Sequence, residues 1–119
     1  MAAANLDTNK LTGELNDIKA LTLTALDATD GGTYTATKGD ERTVLVIQNT
    51  DSSNAEDVVI KAPAHPVLGV GTGFPDKTVS VAKSATAVCY VETMRYLDAA
   101  TGKVTIKGSA DVKVGVVQI

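Results

Sequence analysis

Lys103-Val104-Thr105-Ile106-Lys107, followed by Asp111-Val112-Lys113-Val114 running on through Val116 to Ile119, alternates polar and apolar residues. Successive side chains of a strand point to opposite faces, so a period of two sets one row against a core and the other in water. Gly108-Ser109 separates the two runs, and together they read as a closing hairpin. Working back toward the N-terminus, Ala85 to Val91 reads as a strand and Lys77-Thr78-Val79-Ser80-Val81 as another, with the turn Ala82-Lys83-Ser84 between them and Met94-Arg95-Tyr96-Leu97 as a short strand after them. Thr43-Val44-Leu45-Val46-Ile47-Gln48-Asn49 is the most apolar run of the chain. A continuous apolar run implies burial on both faces or a central place in a sheet. Beyond the polar loop Asn49-Thr50-Asp51-Ser52-Ser53-Asn54, the run Asp57-Val58-Val59-Ile60-Lys61 is expected to return as its antiparallel neighbour. Thr33 to Thr37 reads as a polar strand near an edge, entered by the turn Asp30-Gly31-Gly32, and Leu21-Thr22-Leu23-Thr24 as the first strand. About eight strands with turn signals between them predict an all-β fold, an antiparallel β-sandwich of jelly-roll or Ig-like type, over residues 21–119.

Residues 1–20 differ in character. Leu11, Leu15 and Ile18 follow one another at helical spacing, and Thr8 or Asn9 is placed to cap such a turn. This predicts a short helix or an extended N-terminal arm. A helix this short is marginal alone in water, so its apolar face has to dock on its own sandwich or on another subunit.

A chain of 119 residues is one domain by size, long enough for a core without disulfides or metal. Aromatic residues make up only 3%, so Val, Ile, Leu and Ala are expected to fill a core between two thin sheets. The net charge is −3 and the lysines and arginines are scattered. Phosphate neutralisation needs a basic stripe, so no nucleic-acid partner is expected, and a polybasic membrane patch is also missing. Met1-Ala2-Ala3-Ala4-Asn5 lacks the charged start and apolar core of a signal peptide, and no apolar stretch is long enough to span a bilayer. A soluble protein made in the cytoplasm, with no membrane partner, is the expectation. The single cysteine, Cys89, lies in the apolar run Ala87-Val88-Cys89-Tyr90-Val91 and reads as a buried, inert thiol.

The motifs that carry chemistry are few. His65 is the only histidine, set in Pro63-Ala64-His65-Pro66, and no Gly-x-Ser-x-Gly elbow presents a nucleophile to it. One histidine and one cysteine, distant in sequence, do not make a zinc site. Asn49, Asp51, Asn54, Glu56 and Asp57 gather oxygen donors around one loop. The EF-hand pattern fails because Asn54 stands where that loop needs glycine; a looser calcium loop and a solvated turn remain as alternatives. Gly69-Val70-Gly71-Thr72-Gly73 is followed by Phe74 where the dinucleotide fingerprint has glycine, so it reads as an irregular loop. Asp40 and Glu41 are adjacent, and neighbours in a strand or turn point apart, which does not suit a glycosidase pair. No enzyme activity, cofactor or metal is expected.

Gly39-Asp40-Glu41-Arg42-Thr43-Val44-Leu45-Val46-Ile47-Gln48-Asn49-Thr50-Asp51, then Val58-Val59-Ile60-Lys61-Ala62, and the ending Lys103 to Gly108 with Asp111 to Val117, resemble the small head decoration, or cement, proteins of tailed bacteriophages and prophages. The similarity covers roughly residues 30–119. It implies a non-enzymatic structural protein of the virion, made in the host cytoplasm. Such a protein binds the outer surface of the assembled capsid, with the major capsid protein as partner, and bridges neighbouring capsomers. It would sit there as a monomer or as a homo-trimer on the lattice. The adhesive parts would be those the sandwich does not need. These are the arm of residues 1–20, through Leu11, Leu15 and Ile18, and the Pro63–Asp76 loop, through His65, Val70 and Phe74. A carbohydrate- or receptor-binding β-sandwich module of a tail or cell surface is the second expectation.

Overall fold

The structure is a computed structural model, and it describes residues 3–6, 8–10, 21–36, 42–63, 75–98 and 101–118. It is all-β, with strands β1 (Ala4–Asn5), β2 (Thr8–Lys10), β3 (Thr24–Ala25), β4 (Gly32–Thr35), β5 (Arg42–Asn49), β6 (Glu56–Ile60), β7 (Lys77–Val81), β8 (Thr86–Glu92), β9 (Lys103–Lys107) and β10 (Val112–Gln118). One helical turn, α1 (Thr93–Tyr96), interrupts them. Two sheets form the layers. The first runs β1-β4-β9-β6-β7 and the second β2-β10-β5-β8, with β3 also pairing β10.

The long runs of alternating or apolar residues became the long strands. β5 is central in the second sheet, antiparallel to both β10 and β8. The inward row Val112, Val114, Val116 of β10 and the pair Val104, Ile106 of β9 are fully buried. They face Leu45 and Ile47 of β5 and Val58 and Ile60 of β6 in one core. Close packing of such small branched side chains leaves little tolerance for lost volume. Tyr34 on β4 is the bulkiest fully buried side chain, so one tyrosine contributes more to the core than composition implied.

Several local expectations are corrected: Leu21 to Leu23 precede rather than form a strand, β3 covering only Thr24–Ala25, and Thr8 and Asn9 lie in β2 instead of capping a helical turn. β6 does not return beside β5; it crosses to the other sheet and pairs antiparallel with β7 and β9. β9 and β10 are not a hairpin, because they lie in different sheets. Met94 to Leu97 is not a strand: Thr93–Tyr96 forms the helical turn that carries the chain from β8 toward β9. In these last three cases a short connection permits either a hairpin or a crossing between layers, and only tertiary packing chooses. Only the β2–β3 and β6–β7 connections stay within one sheet. Inter-sheet crossings of this kind are what a sandwich with interleaved strands requires.

The N-terminal residues enter both layers. β1 lies parallel to β4 and β2 parallel to the end of β10. Leu6, between them, is 2% exposed and belongs to the core. Its amide donates to Thr33 O at 2.8 Å, as that of Ala4 does to Gly31 O at 3.0 Å. Residues 11–20 of the expected arm lie outside the described residues.

Candidate functional site

Leu11, Leu15, Ile18, His65, Val70 and Phe74, the residues singled out as adhesive, all lie outside the described residues, as do Asp40, Glu41 and the glycine run 69–73. The base of the Pro63–Asp76 loop is described. Asp76 Oδ1 accepts from the Ala62 amide at 2.7 Å, and its Oδ2 meets Lys61 Nζ at 2.7 Å. The Ala62 N–H, then the Lys61 ammonium, hold the Asp76 carboxyl below its ordinary pKa.

The oxygen-rich loop between β5 and β6 is organised by Asn49, which is 1% exposed. Its amide nitrogen donates to the carbonyls of Asn54, Val81 and Ala82 at 3.0, 3.1 and 3.3 Å. Its Oδ1 accepts from the Asp51 amide at 2.9 Å. Asn49 therefore ties the loop to the β7–β8 turn. Asp51 Oδ1 accepts from the Ser53 and Asn54 amides at 2.8 and 3.1 Å, which lowers its pKa. The carboxylates of Asp51, Glu56 and Asp111 lie within 4.8 Å of one another. Asp111 arrives from the start of β10, held by Thr50, whose amide and Oγ1 both donate to Asp111 O at 2.9 and 2.6 Å. Burial, the hydrogen bond with Asp51 and the negative charges of Asp51 and Asp111 push the Glu56 pKa up, against a hydrogen bond from Ser109. Asp57 is exposed on β6, one residue on from Glu56, and neighbours in a strand face opposite ways. Of the expected carboxylates, Asp51 and Glu56 converge and Asp57 does not; Asp111, which sequence proximity did not suggest, joins them, and the Asn54 side chain also hydrogen-bonds Asp51. The three carboxylates carry six oxygens, of which Asp51 Oδ1 is already engaged by the Ser53 and Asn54 amides, and the loop's hydrogen bonds are those of an Asx turn.

Binding capacity that the fold does not use lies elsewhere. The outward row of β8 is Thr86, Val88, Tyr90 and Glu92, all exposed. Val88 is 72% and Tyr90 54% exposed. Register sets Tyr90 beside Val44 and Val44 beside Val117, and Val88 beside Val46 and Val46 beside Gly115. A side chain at Gly115 would collide with Leu21 and Leu23, since an added Cβ would lie 2.9 and 2.7 Å from them. The 21–23 segment therefore rests on this same face, and Leu21 is itself 45% exposed. The outer face of the second sheet is thus an apolar band of valines, leucines and a tyrosine. Isolated exposed apolar residues are ordinary, but a contiguous patch marks a contact surface. At one end of the band a shallow hollow of about 260 Å³ is lined by Lys77, Tyr90, Glu92, Arg95 and Tyr96. Lys77 Nζ donates to Tyr90 O at 3.1 Å, and Arg95 pairs with Glu92 at 2.6 Å.

Sequence reading missed this band because residues 87–91 are apolar at every position, so periodicity did not separate the buried row from the exposed one. Cys89 falls on the buried row, as expected. No protein-family model, curated protein or solved structure matches the chain.

Proposed function

We propose that this protein is a structural component of a virion that adheres to the outer surface of an assembled capsid and bridges neighbouring capsomers, without catalysis or a cofactor. The observation that carries the reading is the apolar band on the outer sheet face, centred on Val88 and Tyr90, on a sandwich cross-tied by inter-sheet connections. The resemblance of residues 30–119 to phage decoration proteins supports the choice of partner. A repeated lattice makes modest single-site contacts sufficient, because many copies together resist separation of subunits under internal pressure. The band faces outward from a rigid layer, so docking does not require the core to rearrange. Co-sedimentation with emptied, expanded capsids of the matching phage tests the proposal. Saturable pelleting at a fixed copy number per capsomer is expected, and protein that stays in the supernatant at every capsid concentration contradicts it.

The hollow beside Tyr90 favours a second reading, a carbohydrate-binding module of a tail or cell surface. An exposed ring flanked by charged hydrogen-bonding groups is the arrangement that stacks on and orients a sugar. A glycan array distinguishes the two: selective glycan binding abolished by Tyr90→Ala supports the module, and a blank array removes it.

A further inference from the structure

We infer that β8 is a homodimerisation edge, through which two copies of this chain pair antiparallel about a two-fold axis at Cys89. Among the described residues no strand pairs with the side of β8 that faces away from β5. The register fixes which of its backbone groups are free. The Asn49 amide donates to Ala85 O at 2.9 Å, so the β5–β8 hydrogen-bonded pairs fall on Ala85, Ala87, Cys89 and Val91. The N–H and C=O groups of Thr86, Val88, Tyr90 and Glu92 consequently point to the open side. Tyr90 O confirms the direction, since it accepts there from Lys77 Nζ at 3.1 Å, with the weak donor Cys89 Sγ at 3.5 Å; the flexible Lys77 side chain has to swing aside for a second strand to pair at that carbonyl.

Open edges are usually made short, charged, proline-bearing or bulged, because they otherwise recruit another strand. The remaining edges of this molecule follow that pattern. β1 and β2 have two and three residues, and β7 turns the exposed polar residues Thr78 and Ser80 outward. β8 does not. It has seven residues, no proline, an unbroken register with β5, and Val88 and Tyr90 at its centre.

The register of a two-fold pairing follows from the parity of the free groups. Only residues 86, 88, 90 and 92 can bond across the edge, so a two-fold pairing that overlaps the whole strand has its axis at residue 89. Val88 then pairs with Tyr90 of the second copy, and Thr86 with Glu92 of the second copy. A shift of the axis to residue 88 brings Ser84, at φ 57, into the ladder, and a shift to residue 90 brings in α1. In the centred register no like charges oppose, and the apolar pairs are an aromatic with a β-branched residue, a favourable cross-strand combination. The same strand therefore supplies both halves of its own complement. The two outer faces become one continuous apolar band, which pairing at the edge leaves open. The inference does not depend on the capsid reading, because it is tested without capsids.

Light scattering coupled to size exclusion tests it on the full chain. The wild type is expected at twice the 12.2 kDa chain mass. V88K/Y90K sets lysines opposite each other twice across the axis and is expected to elute at the single-chain mass. V88K/Y90E sets lysine opposite glutamate at the same places and is expected to restore the doubled mass. Both positions face solvent, and circular dichroism of each variant reports that the sandwich is intact. A wild type of single-chain mass at about 100 µM, a folded V88K/Y90K that keeps the doubled mass, or a folded V88K/Y90E that does not regain it overturns the proposal.

Discussion

At Gly31 the turn into β4 allows no side chain. The amide and carbonyl of Asp27 both bond Gly31, at 2.9 and 2.8 Å, while Asp27 Oδ1 accepts from the Thr29 and Asp30 amides at 2.9 Å each. Gly31 closes this turn at φ 72, and a Cβ there would lie 2.0 Å from the carbonyl oxygen of Ile106. Left-handed backbone and a collision with a neighbouring strand add, so Gly31→Ala is expected to cost about 2–4 kcal/mol, read as a lowered midpoint in urea unfolding. Asp30-Gly31-Gly32 was legible as a turn from the dipeptide alone; which glycine is obligatory depends on β9, which sequence order does not place beside it. The carboxylate cluster gives a second prediction at this scale. Asp51, with its pKa lowered, stabilises the fold above the ordinary aspartate value of 3.8 and loses that contribution as pH falls through its folded value. Glu56, with its pKa raised, does the reverse. Its contribution is complete below the ordinary glutamate value of 4.5 and is lost as pH rises through its folded value. Glu56→Gln removes the repulsion and keeps a hydrogen-bonding group, so the melting temperature should rise above wild type at pH 7 and the gap should close toward pH 4.5. A lower melting temperature at pH 7 would show that the Glu56 charge is needed there.

Element by element, legibility tracked strand length and one-sided burial. β9 and β10 announced themselves because Val104, Ile106, Val112, Val114 and Val116 alternate with polar partners and all are buried. β5 was legible as central because apolar residues occupy both of its faces, one in the core and one in the outer band. The same feature in β8 hid its exposed row, and an apolar edge looks in sequence like an apolar interior. β1 and β2 are too short to carry a period, and their register comes from the strands they join. That pairing makes residues 3–6 and 8–10 structural. Leu6→Ala is expected to destabilise the protein by about 2–5 kcal/mol, a cost set by how far Leu26 and Gly32 close around the cavity. Thermal melts of that variant measure it, and an unchanged melting temperature would mean that β1 and β2 are dispensable attachments.

For the whole molecule, the fold and the proposed role meet in one arrangement. All but two of the connections pass between the layers, so pulling on one sheet loads the other through short segments such as 50–55 and 82–85. A slab of this build transmits force between the things it holds, which suits a bridge between capsomers. Under the proposed role its apolar outer face would supply the adhesion, and a paired β8 edge would double that face. In the proposed role this face seats on the outside of a capsid lattice. Electron cryomicroscopy of expanded capsids incubated with the protein tests it most directly. Added density is expected at regular positions between capsomers, built of lobes matching the 43 × 37 × 24 Å extents of one chain and paired where β8 edges meet, with Val88 and Tyr90 turned toward the shell. Bare capsids at saturating protein, or density that meets the shell only through the opposite sheet, would contradict it.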